Sequence, residues 1–141
     1  MTPIASLIER LERGDIKALS IRQPYPHHIL HDGKDVENRD WPTKGRGWVL
    51  MHAGKNDSED RDLIREKKLP LGGIVGAIRI SDCVERMDSS WFYGPYGFVI
   101  ADKIELPFVA CKGALGFFKP EAAVVAAVLA ALKSMEARGE G

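Results

Sequence analysis

Ile4, Leu7, Ile8 and Leu11 recur at three- and four-residue spacing between Thr2-Pro3 and Gly14. That is the apolar stripe of an amphipathic helix, with a hydroxyl cap and a proline at its start and a glycine stop. Over 18–22 the period changes to two. Leu19 and Ile21 share one face, Ser20 and Arg22 the other, and Pro24 ends the run. The spacing then predicts a short helix over about 24–30, a strand over Val36–Arg39, and a stronger strand over 48–53 broken by Gly54. Asp57-Ser58 reads as the cap of a charged helix running to about Lys68, terminated by Pro70 and Gly72-Gly73. Two longer β runs, 74–84 and 98–106, flank a loop of aromatics and glycines at 91–97. Residues 113–118 read as one more short strand, and Pro120-Glu121 opens a helix with a wide Ala/Val/Leu face.

Five or six short strands with helices between and around them predict an α+β fold. The expected form is a small, mostly antiparallel β-barrel with peripheral N-terminal, inserted and C-terminal helices. No repeat, linker or low-complexity segment divides the chain, so 1–141 reads as one domain with a core at about 18–118. The longest apolar run, 122–132, is far short of the roughly 20 residues a spanning helix needs, which predicts no membrane partner. Met1-Thr2-Pro3 leads into amphipathic spacing rather than a basic segment followed by an apolar one. Cys83 and Cys111 lie far apart with no CxxC pair, so they read as reduced thiols rather than metal ligands. Together these features predict a cytoplasmic protein with no cofactor.

The 20 Lys and Arg balance 20 Asp and Glu, for a formal net charge of zero. This excludes a protein that grips nucleic acid through bulk positive charge, but not a local basic pocket. Residues i and i+2 of a strand point the same way, so Glu37 and Arg39 project together, as do Ser20 and Arg22. Lys34 follows Gly33 just before that second strand. If the two strands are neighbours, one end of the barrel gathers Ser20, Arg22, Lys34, Glu37 and Arg39. Residue types leave two readings open, ion pairs on a solvated face or a concave polar pocket. Tyr25 and Trp41 flank the cluster and suit stacking on a base. Trp91, Phe92, Tyr93 and Tyr96 read as core packing or as a stacking lid. Lys44 and Arg46 add cations in a glycine-rich turn. His27 and His31, at i and i+4, make only half a metal site, with His28 between them; His52, in phase with Trp48 and Leu50, reads as a satisfied core histidine or a titratable group beside the pocket.

The series Leu19-Ser20-Ile21-Arg22-Gln23-Pro24-Tyr25, then G-K-x-x-E-x-R from Gly33 to Arg39, then a strand ending in His52-Ala53, resembles the ASCH-domain family. The glycine-rich start at Gly72, Tyr96-Gly97-Phe98 and Gly113-x-x-Gly116-Phe117 fit the same pattern, which covers about 18–118. The resemblance implies the PUA-like barrel fold and a polar cleft lined by Lys34, Glu37 and Arg39. It also implies RNA or a modified nucleobase as partner, with Ser20, Arg22, Tyr25, Lys34, Glu37, Arg39 and Trp41 as binding residues. One branch of the family hydrolyses acetylated cytidine nucleosides with a lysine, a threonine three residues later and a distant glutamate. Lys34 matches the lysine, but Glu37 stands where the threonine would be, and the distant glutamate is assigned to neither Asp82 nor Glu85, which stay open as candidates. A carboxylate nucleophile would give an anhydride rather than an ester. An enzyme built on this cleft would use Glu37 as a general base on water and Lys34 as the electrophile. A ribonuclease and a protein-interaction module, docking through the C-terminal helix or the aromatic loop, are weaker expectations.

Overall fold

The computed structural model describes residues 1–55 and 60–140. Its elements in chain order are α1 (Pro3–Glu12), β1 (Ala18–Ile21), α2 (Tyr25–His31), β2 (Val36–Arg39), β3 (Gly47–Ala53), α3 (Arg61–Lys67), β4 (Gly73–Val84), β5 (Tyr96–Ala110), β6 (Phe117–Phe118) and α4 (Ala122–Ala137). The cap predicted at Asp57-Ser58 lies outside the described residues. In the structure Asp60 caps α3, its side chain accepting a hydrogen bond from the Leu63 N–H at 3.1 Å.

The strands form one six-stranded sheet in the order β2-β5-β4-β3-β1-β6. All neighbours are antiparallel except β1 and β3, which run parallel with Ser20 opposite His52. The fold is therefore α+β with a mixed, strongly curled half-barrel, not a closed antiparallel barrel. Curling brings the far ends of the sheet together: Phe98 of β5 stacks on Phe117 of β6 with centroids 5.9 Å apart, and Trp41 meets both rings edge-on.

Two boundaries differ from the periodicity. Strand β5 continues through Pro107 to Ala110 because the proline falls at a register irregularity, between the pairs Gly76–Glu105 and Ile74–Val109. A residue without an N–H is tolerated at such a bulge. The strand read at 113–118 shrinks to Phe117 and Phe118, which pair with Leu19 and Ala18.

The alternation of β1 and β3 divides the core in two. On one face Ala18, Trp48 and Leu50 meet α1 through Leu7 and Leu11 and α4 through Val128 and Leu132. On the concave face Leu19, Ile21, Met51, Ile78 and Phe98 surround Ile29 of α2. The helices that periodicity reads as docking elements thus cover one side of the sheet, and α2 plugs the other. Among the described residues no helix is long and apolar enough to cross a membrane.

Candidate functional site

Strands β1 and β2 stand apart in the sheet order, yet the curl sets them facing each other across its open gap. Arg39 spans that gap. Its Nη2 donates to the Ser20 carbonyl oxygen at 2.7 Å, while Nε and Nη2 reach Glu37 Oε2 at 3.1 and 2.9 Å. The planar guanidinium is suited to such two-directional use, since its donors are fixed in a fork. Both contacts to Glu37 fall on the same carboxylate oxygen.

Lys34 enters from the other side. Helix α2 ends at His31, and the His28 carbonyl accepts from the N–H groups of both Asp32 and Lys34, at 2.9 and 3.1 Å. Closing that turn requires φ of +75° at Gly33, a backbone conformation that glycine adopts without steric penalty. The turn delivers the Lys34 side chain into the gap, where its ammonium lies 5.2 Å from the Tyr25 ring centroid and 5.6 Å from that of Trp91. Lys34 is only 3% exposed and Glu37 6%. Burial pushes the Glu37 carboxyl upward, against the pull of Arg39 and Lys34. Burial likewise pushes the Lys34 amine downward, opposed by Glu37 and Asp35. In both groups desolvation outweighs the opposite charges nearby.

A cavity of about 400 Å³ opens above these groups. Ser20, Arg22, Tyr25, Lys34, Glu37 and Arg39 all border it. The polar-pocket arrangement is thus the one realised, although β1 and β2 meet across a gap rather than as paired strands. Trp41 does not border this cavity. It packs between Phe98 and Phe117, with the Arg39 guanidinium 5.8 Å from its ring, because Trp41 supplies the apolar bulk that the unpaired gap lacks.

The aromatic loop divides between the two roles read for it. Tyr93 is exposed and borders the cavity, whereas Trp91 lies tilted against the His28 ring and shields Lys34. The loop is held by a residue the motif leaves unspecified. Asn38 Oδ1 accepts from the N–H groups of Tyr93 and Gly94 at 2.8 and 3.1 Å, and its Nδ2 donates to the Trp91 carbonyl at 3.0 Å. An asparagine between Glu37 and Arg39 was the available signal, since an amide can bond a loop on both its edges.

Other candidates lie elsewhere. Arg46 bonds the carbonyls of Thr43 and Gly45 and approaches Asp82 at 3.6 Å, away from the cavity. His28 pairs with Asp32 at 2.7 Å and His31 with Glu105 at 2.8 Å. His52 is buried and fully bonded, to Ser20 Oγ at 3.0 Å and to the Cys111 carbonyl at 2.7 Å. Comparison with protein-family models and with curated proteins finds no match for this chain.

Proposed function

We propose that the cavity between β1, β2 and α2 binds a nucleobase, either free or within RNA, and that the chain is a PUA-like module of the ASCH type. The observation that carries the reading is the burial of Lys34 and Glu37 together at the floor of a cavity walled by Tyr25 and Tyr93. Two desolvated charges of opposite sign offer an acceptor for an exocyclic amine and a donor for a carbonyl oxygen, as in the recognition of cytosine edges. The tyrosines offer ring faces for stacking. The curled sheet and the G-K-x-x-E-x-R strand beside the gap support the family reading.

Zero net charge restricts the footprint to this pocket. Titration of an RNA pool at two salt concentrations should give a shallow dependence with a base preference; a steep dependence without preference would overturn the proposal. Lys34→Met should keep the fold and weaken binding of cytidine or acetylated cytidine at least about 10-fold, the value of one good polar contact to a base.

A second reading is an amidohydrolase in the same cavity, favoured by the buried Glu37 carboxyl, displaced upward by burial, lining the same cavity as the Lys34 amine. Glu37 would take a proton from water while Lys34 polarises the acyl carbonyl. Release of acetate from acetylated cytidine tests it, and absence of turnover at saturating substrate would remove it.

A further inference from the structure

Ser20 borders a second, larger cavity of about 830 Å³ on the helical side of the sheet, together with His52, Cys111 and Gly113. There its side chain makes an arrangement that the base-binding reading does not use. Ser20 Oγ lies 3.0 Å from His52 Nδ1, and His52 Nε2 lies 2.7 Å from the Cys111 carbonyl oxygen. A carbonyl oxygen only accepts, so Nε2 carries the hydrogen and Nδ1 is left as the acceptor for the serine hydroxyl. The order is nucleophile, base and a third group that fixes the tautomer and orientation of the base.

The sequence keeps this pair in place. The parallel pairing of β1 with β3 sets Ser20 opposite His52. The 111–113 segment closes over them, and a β-carbon at Gly113 would stand 2.7 Å from both Ser20 Oγ and His52 Cε1. Only glycine allows that approach. Among the described residues the lining includes Lys55, Lys112 and Lys119 against one carboxylate, Glu121, a positive bias that suits a developing oxyanion.

We infer that Ser20 is a nucleophile activated by His52, and that the second cavity takes an acyl ester. In the first step Ser20 Oγ bonds to the acyl carbon while its proton moves to His52 Nδ1. The bond from that carbon to the leaving oxygen breaks, and the alcohol departs with the proton from Nδ1. Water then attacks the acyl-serine, gives its proton to Nδ1, and frees the carboxylic acid as Ser20 Oγ takes the proton back. His52 is held throughout by the Cys111 carbonyl, which accepts from Nε2 in both the neutral and the protonated imidazole.

The test treats the full chain with a fluorophosphonate and maps the adduct by peptide mass spectrometry. The expected result is a single adduct on Ser20, absent in Ser20→Ala, forming at least about 100-fold more slowly in His52→Gln, the usual worth of a general base. No adduct on Ser20, or equal rates in the wild type and a folded His52→Gln variant, would overturn the assignment. Should His52→Gln fail to fold, the wild type alone decides with p-nitrophenyl acetate. A burst of nitrophenolate with a hydroxylamine-labile acetyl group on the Ser20 peptide supports the mechanism, and acetylation confined to lysines overturns it.

Discussion

Glu37 and Lys34 each sit where water would hold their charge better than the protein does, and each responds by moving toward its neutral form. For Glu37 the consequence has a definite sign. Its folded pKa lies above the ordinary 4.5, so the folded state holds the proton more tightly than the unfolded chain. The contribution to stability is complete below about 4.5 and is lost as pH rises through the folded value. Urea unfolding of the wild type and Glu37→Gln across that range should show a wild-type stability that declines relative to the variant as pH rises. The other carboxylates titrate in both proteins and cancel in the difference. The same substitution replaces the ionised acceptor for an exocyclic amine by a neutral amide with one acceptor oxygen, and should weaken binding of an amine-bearing base by about 10-fold. Binding by the wild type should strengthen as Glu37 ionises, which calorimetric titration at several pH values measures.

At the scale of elements, Arg39 does the work of a missing ladder, joining β2 to β1 through a side chain where no backbone pairing exists. Arg39→Lys keeps the charge but not the fork, and should cost about 2 kcal/mol, the worth of a hydrogen bond to a charged group. Hydrogen exchange should rise in β2 and at the gap-facing edge of β1. The elements themselves were largely readable: the stripe of Ile4, Leu7, Ile8 and Leu11 is buried as α1, and the alternation of Leu19 and Ile21 against Ser20 points to opposite faces of β1. So was the grouping of Glu37 with Arg39, because period two is a local property; Lys34, outside that strand, was expected beside them from its place at the strand entry and from the motif, and the Gly33 turn brings it there. The parallel pairing of β1 with β3, and with it the Ser20–His52 contact, was not legible. Pairing between segments some thirty residues apart depends on how the whole sheet curls, and no local period records that. Trp41 illustrates the same limit. Beside the motif it reads as a stacking residue, but its place is decided by Phe98 and Phe117, both distant in sequence.

For the molecule as a whole, the sheet separates two apolar clusters that share no buried residue. Leu132 on α4 and Ile29 on α2 are each fully buried, on opposite sides. Truncating either to alanine should cost about 2–5 kcal/mol. The double variant should match the sum of the two within about 0.5 kcal/mol, since the two residues belong to separate clusters on opposite sides of the sheet. Chemical denaturation of the three variants checks this, and a shortfall larger than that would mean the two cores are coupled through the strands.

The order of the strands also bears on how the protein behaves among its own copies. The outermost strands are short, four residues in β2 and two in β6, while the longest, β4 and β5, with twelve and fifteen, lie inside. A rim of free N–H and C=O groups is what templates edge-to-edge growth. Here Arg39 caps part of that rim by taking the Ser20 carbonyl. The half-barrel stays open enough to admit a ligand, and β2 and β6 themselves offer another chain only short stretches of backbone, while β5 beyond Val99 is laddered on its β4 side alone.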